Sequence, residues 1–499
     1  MDGVRVVAYS VRVHGATGDR QTDDTQAIQQ AIDACHAAGG GTVVFPTGDY
    51  LTGTIRLKDR VVLWLDAGAT IWASVEPLAY STPYLIHALD ARDVSIVGPG
   101  RIDGQGEKFW VRNGERWRPG PFRPESLVYF ERCQNIVVRD VTITNSPSWT
   151  LHTFRCDNVV ISGVTILNDI AGPNTDGIDP NCSTNVRISD CHIVAGDDCI
   201  VVKATEDYPC ENVTVTNCTL ETTCAALKLG TESHGDIRHC TFSNCTIRNT
   251  SAGITLYQKD GGTMEDVLFS NITIETKGDV IYKHREWPIF IDLERRGPDS
   301  KVGVIRDVSF SGITITTQGR CVVQGMATQP IERLTMENVT VKVVGFGDLE
   351  ELPKPRGGTI LWEDPEGGTH VAAPAHFVFA NVRGLRLRDV QVALETDDPP
   401  QERSAVFGDS IHEVMIDGLR ARQAVPEGSL PAVDLRDCSE VLVAGCKAPS
   451  ETGTFLRFTG ETTQTATVLG NDLLNAAVAV DVAADVPKEA VYVAANRLP

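Results

Sequence analysis

Through the middle of the chain, apolar and polar residues alternate in two brief runs, and the whole pattern then recurs. NVVISGVTILN begins at Asn158, NVRISDCHIVA at Asn185, NVTVTNCTLET at Asn212, HCTFSNCTIRN at His239 and DVLFSNITIET at Asp266, each start 27 residues after the last. Related segments begin at Asn135, Asp307 and Arg333. A period of two predicts short strands with one buried face. Strands at a fixed step, with turn residues and no intervening helical pattern, predict a β-helix whose coils become stable by stacking.

The register makes further expectations. Cys191, Cys218 and Cys245 share one coil position and should form an interior column, as small apolar side chains. A disulfide between neighbouring coils is the rival reading of that column. Asp190, Asn217, Asn244 and Asn271 share another position and should form a ladder at a turn, bonding side chain to backbone between coils. Near the N-terminus, Asp23-Asp24-Thr25 precedes an amphipathic run from Ala27 to Ala38, closed by Gly39-Gly40-Gly41. This predicts a capped helix over the open end of the solenoid. The expected organisation is one continuous solenoid over 1–499, with regular coils at about 60–345 and less regular coils at 375–499. Two excursions interrupt it, at 278–303 (Tyr282, His284, Arg285, Trp287, Arg296) and at 345–374.

Charge narrows the partners. The formal net charge of −21 opposes nucleic acid and anionic membranes, which need a basic footprint. No apolar stretch has membrane-span length, and MDGVRVVAYS lacks the pattern of a secretory signal. The expectation is a cytoplasmic protein, or one secreted from a longer precursor. The 14 cysteines contain no paired CxxC motifs, so no structural zinc is expected. Oligomeric state leaves no signal.

The chemistry gathers in two adjacent coils, Asn174-Thr175-Asp176-Gly177-Ile178-Asp179 and Gly196-Asp197-Asp198-Cys199. Aligned strands pair Ile178 with Ile200, Leu227 and Ile254. Asp176, Asp198, Ala225 and Ala252 then point outward in one row, and Asp179, Val201, Lys228 and Thr255 in a second. Crowded carboxylates push their pKa values apart, leaving a protonated acid beside an ionised one. Glycoside hydrolysis needs such a pair, one group to protonate the leaving oxygen and one to activate water.

NTDGID, GDDC followed by Lys203, and Asn145-Ser146-Pro147-Ser148-Trp149 with His152 resemble glycoside hydrolase family 28, the polygalacturonase family. TDDTQAIQQAIDAC, GGGTVVFPTGDY and LTGTIRLKD resemble its opening, and the likeness covers residues 15 to about 345. The resemblance implies an all-β, right-handed parallel β-helix and single-displacement hydrolysis with inversion, without a cofactor or metal. It implies Asp197 as general acid, Asp176 and Asp198 as holders of the water nucleophile, and Asn174 and Lys203 as supporting residues. The departures are specific. Ala225 stands where the family carries the histidine of Gly-His-Gly, and Thr255-Leu256-Tyr257 where it carries Arg-Ile-Lys to grip a uronate. The Cys224-Ala225 variant resembles rhamnogalacturonan hydrolases, in which a neutral rhamnose lies beyond the cleaved bond and Asp179 joins the acidic set.

Further candidate substrate contacts are Lys228 as a replacement cation, Trp149 as a sugar platform, His152 and Tyr257, with Arg123 and His234 behind them. For these residues the alternatives of surface solvation or core packing stay open. Two rival functions use the same fold. A polysaccharide lyase would need Ca²⁺, which Asp176, Asp179 and Asp198 could bind. A non-catalytic glycan-binding β-helix would lose nothing on Asp197→Asn.

Overall fold

A computed structural model describes residues 8–114, 116–278, 286–347, 364–367, 370 and 372–499. The fold is a right-handed parallel β-helix. The chain divides into two compact units, Met1–Lys228 and Leu229–Pro499. Among the described residues no helix is long and apolar enough to cross a membrane.

In the first unit the 27-residue repeat is the strand register: Val159 pairs with Val186, and Val186 with Val213. The first residue of each repeat is left-handed, with φ of 57° at Asn158, 56° at Asn185 and 58° at Asn212. Asparagine tolerates this conformation better than most residues, which is why it recurs there. A second left-handed position falls at Asp190 and Asn217, with φ of 58° and 57°. Here the expected ladder differs in one respect. Asn217 Nδ2 donates to Asp190 Oδ1 at 3.2 Å, so the rung joins side chain to side chain rather than side chain to backbone. The same holds at Asn212 and Asn185, 3.2 Å apart.

The N-terminal helix α1 runs Thr25–Ala37 and buries Ile28, Ala31, Ile32 and Cys35. Its cap differs from the expected one. Asp24 holds the N-cap position without a side-chain cap bond; its carboxylate receives the amides of Thr17 and Gly18 at 2.7 and 2.9 Å instead. Asp23 accepts from the Thr25 amide at 2.9 Å. Beyond the Ala38 C-cap, Gly40 adopts φ 109°, where an added Cβ would lie 2.5 Å from Arg60 Cβ. Coils begin before residue 60: Gly41–Phe45 already pairs in parallel with Val61–Leu65.

In the second unit Cys240 pairs with Val267, Val267 with Val308 and Val308 with Leu334. Phe242, Phe269 and Phe310 stack along the interior, with ring centroids 4.8 and 5.0 Å apart. The span 278–303, expected as a loop, contains the strand Trp287–Leu293, every residue of it buried, which pairs in parallel with Ala252–Gln258. Its alternating Ile289, Ile291 and Leu293 make a core face, displaced from the 27-residue step by the inserted residues before it. Tyr282, His284 and Arg285 lie outside the described residues, as does most of the 345–374 excursion. All 14 cysteines are thiols. Cys191, Cys218 and Cys245 are buried, and each Sγ donates to the carbonyl two residues earlier, at 3.2, 3.3 and 3.2 Å.

Candidate active site

Three strands of the first unit set the site: Trp149–Phe154, Ile178–Asn181 and Ile200–Ala204. Ile178 pairs with Ile200, as the sequence alignment expects, and Asn181 with Lys203. The acidic turns are stacked through backbone bonds from Gly177 N to Asp198 O at 2.9 Å and from Cys199 N to Ala225 O at 3.0 Å. At Gly177 a Cβ would lie 2.4 Å from the Cys199 carbonyl, so the two turns approach this closely only because that residue is glycine. Thr175 Oγ1 accepts the Gly196 amide at 3.0 Å and ties one acidic turn to the next.

Four carboxylates and three cations meet here. Asp176, Asp179 and Asp198 are buried, whereas Asp197 is partly exposed at the edge. Lys203 Nζ lies 3.9 Å from Asp176 and 4.0 Å from Asp179. Lys228, only 6% exposed, donates to Asp198 Oδ2 at 2.7 Å, while the Ala225 amide donates to Oδ1 at 3.3 Å. Arg123 acts electrostatically on both Asp176 and Asp197. One proton therefore brings the set to neutrality. Burial, followed by the charges of Asp197 and Asp179, lifts the Asp176 carboxyl well above the usual range. Burial and the Asp198 charge lift Asp197, against the pull of Lys228. Burial opposes the charge of Lys228, but Asp198, Cys224 and Asp197 outweigh it and hold the ammonium well above the ordinary lysine range. The proton belongs to the coupled set.

A stability consequence follows for Asp176. With Asp176 and Asp197 both raised, the native set keeps a shared proton that an unfolded chain releases above about pH 4. Stability then falls as pH rises from there to the raised value. Asp176→Asn is expected to melt higher than the wild type at pH 7, with the gain shrinking toward pH 4. A lower melting temperature at pH 7, or a pH-independent difference, contradicts this.

The other expected residues divide. Asn174, left-handed at φ 55°, donates to Asp197 Oδ2 at 3.3 Å and accepts from Arg123 at 2.9 Å. Arg123, considered as a uronate ligand, instead gives Nη1 to the carbonyls of Pro147 and Pro173 at 3.1 and 2.7 Å, and thereby aims Asn174. His152, considered as a substrate contact, is held from both sides, by Ser126 Oγ at 3.3 Å and by Asn181 Nδ2 at 3.2 Å. Burial pushes its pKa down to about 3, so the ring is a neutral spacer. Lys203 Nζ lies 4.7 Å from the Trp149 ring centroid, and half-buried Trp149 keeps only part of its surface for a sugar. Tyr257 is buried in the second unit, 5.5 Å from Lys259 Nζ. His234, also there, is exposed, 3.8 Å from Asp260. The sequence reading missed Arg123 as an anchor of Asn174 and Cys224 beside the acids. Oxygen and sulfur atoms of Asp197, Asp198 and Cys224 lie within 4.8 Å of one another, and burial, then the charges of Asp198 and Asp197, raise that thiol well above its usual range.

The profile of glycosyl hydrolases family 28 matches residues 35–352. The chain belongs to that family. A "Probable polygalacturonase" of Vitis vinifera is 31% identical over 277 residues, 48% of this chain and 56% of its own length. An "Exopolygalacturonase" of Zea mays is 29% identical over 39% of this chain and 48% of its own. The chain thus spans about half the length of the curated relatives it matches. Among solved structures, an exopolygalacturonase from Thermotoga maritima superposes with a TM-score of 0.59 at 24% identity, covering 68% of this chain and 87% of that one. A polygalacturonase from Erwinia carotovora gives 0.56 at 24%, covering 67% and 93%. At these identities the structural likeness establishes the β-helix.

Proposed function

We propose that this family 28 chain hydrolyses a glycosidic bond in a pectin-type glycan with inversion of configuration. The observation that carries the reading is the cluster of four acids beside Lys203 and Lys228, in which Asp176 and Asp197 are both raised and Asp197 alone of the four is partly open to a ligand. Asp197 delivers a proton to the leaving oxygen. Asp176 Oδ1 is buried without a hydrogen-bond partner and accepts the proton of the attacking water. Asp198, with one oxygen on Lys228 and the other on the Ala225 amide, supports the developing positive charge of the sugar ring. Asn174 orients Asp197, and Lys203 balances Asp176 and Asp179. A calcium-dependent lyase is disfavoured because the Lys228 ammonium occupies the cation position beside Asp198, and because the protonated Cys224 thiol is a poor ligand for a hard cation.

Within that reading, the bond cleaved carries a neutral sugar on its leaving side. Ala225 and Tyr257 stand where uronate-gripping cations would be, and Lys228 is spent on Asp198. The expected outcome in a panel of pectic oligosaccharides, read by mass, is turnover of chains alternating rhamnose with galacturonate and little on unmodified polygalacturonate. Rapid hydrolysis of polygalacturonate rejects the preference and leaves the hydrolase reading standing.

A further inference from the structure

A groove of about 750 Å³ lies in the first unit against helix α1, lined by Asp23, Gln26, Gln29, Arg56, Lys58 and His87, with Ser81 and Thr82 at its rim. It is connected to the acids by strand register. Arg56 pairs with His87, His87 with Tyr129, Tyr129 with His152, and His152 with Asp179. Four steps at ~4.8 Å per coil place Arg56 roughly 19 Å along the sheet from Asp179. The row is aromatic between its ends: Tyr84 stacks on Tyr129 with centroids 4.0 Å apart, and Tyr129 meets His152 at 4.9 Å.

The groove holds one cation without an ion pair among the described residues, Arg56, and a largely buried histidine, His87, whose ring lies 6.1 Å from that of Tyr84. Lys58 is paired with Asp33 at 2.8 Å. Asp23 accepts from both the amide and the hydroxyl of Thr25. The backbone of Arg56 is fixed by Gln29, whose amide reaches its N–H at 2.8 Å and its carbonyl at 3.1 Å. The Arg56 side chain is exposed between buried Ile55 and Leu57, and forms no ion pair among the described residues. His87 is only 9% exposed and lines the groove, and the described residues offer its ring no hydrogen bond. Burial, with Arg56 adding to it, pushes its pKa down to about 4, so at neutral pH the ring is uncharged and can both give and take a hydrogen bond.

We propose that this groove is a distal glycan subsite that takes an acidic sugar, with Arg56 on the uronate carboxylate and His87 on a ring hydroxyl. Guanidinium matches carboxylate in a forked pair of charge-assisted bonds. Gln26, Ser81 and Thr82 supply the neutral polar lining that sugar hydroxyls need. The subsite rests on the reading of the acids as a glycan-cleaving centre, and Arg56 is the cation of its lining that has no ion pair among the described residues, since Lys58 is paired with Asp33.

The test uses trigalacturonate as the probe on Asp197→Asn protein, read by calorimetry and hydrogen–deuterium exchange. The expected result is protection of peptides covering 51–58 and 78–88. Arg56→Ala should abolish that protection and weaken binding about tenfold or more, the size of one charge-assisted bond. Arg56→Lys should restore part of it, and His87→Gln, which keeps a polar partner, should retain more than His87→Ala. Protection confined to 174–203, or protection of the groove unchanged by Arg56→Ala, overturns the subsite and leaves the cleavage reading intact. No protection anywhere also overturns it. If the wild type then cleaves none of a pectic panel, the reading beneath the subsite fails separately.

Discussion

Asp197→Asn should lower turnover of a pectic oligosaccharide by about 10²–10⁴-fold while leaving the Kd for that oligosaccharide nearly unchanged. The carboxyl is partly exposed at the edge of the acidic set and is raised by burial and by Asp198, so it is poised to hold and release a proton. An amide of the same shape keeps the contact from Asn174 but has no proton of suitable acidity to give. The loss should be smaller on a substrate whose leaving group departs without protonation. For Asp198→Asn the loss should not shrink on that substrate, since Asp198 does not protonate the leaving oxygen. Kinetics of the three proteins on natural and activated substrates check this. Wild-type turnover by Asp197→Asn on a natural substrate contradicts it.

Lys228→Met should be among the most destabilising single substitutions in the first unit. Lys228 and Asp198 form a buried pair at 2.7 Å. Removing only the cation strands a carboxylate in a site already crowded with Asp176, Asp179 and Asp197, a loss of about 3–5 kcal/mol. Lys228→Met with Asp198→Asn should recover much of that stability without recovering activity, because the second change relieves the stranded charge. Denaturant unfolding of both variants beside the wild type is the measurement. A single variant as stable as the wild type, or a double variant no better than the single, contradicts the pairing.

Much of this architecture is written in the residues. The 27-residue step is legible because every repeat begins on a left-handed backbone position that favours Asn or Asp, and because the same two strand patterns follow. The acidic turns are legible because their spacing puts NTDGID and GDDC one coil apart, and the Ile178–Ile200 register bears this out. What stays hidden is how side chains share partners across coils. Lys228 reads in sequence as either a replacement cation for substrate or a solvated surface lysine, since nothing local says that a carboxylate one coil away will take its ammonium. His152 and Arg123 look available until Ser126, Asn181, Pro147 and Pro173 occupy their donors. The strand Trp287–Leu293 is hidden for a different reason, an insertion that breaks the period and makes a core strand read as a loop.

The central claim is single displacement by a water held at Asp176, with Asp197 as the acid. NMR of the first product formed from a pectic oligosaccharide, before mutarotation, tests it most directly. The account predicts a reducing sugar of the opposite anomeric configuration to the bond cleaved. A first-formed product with the same configuration would mean a covalent intermediate, and would contradict it.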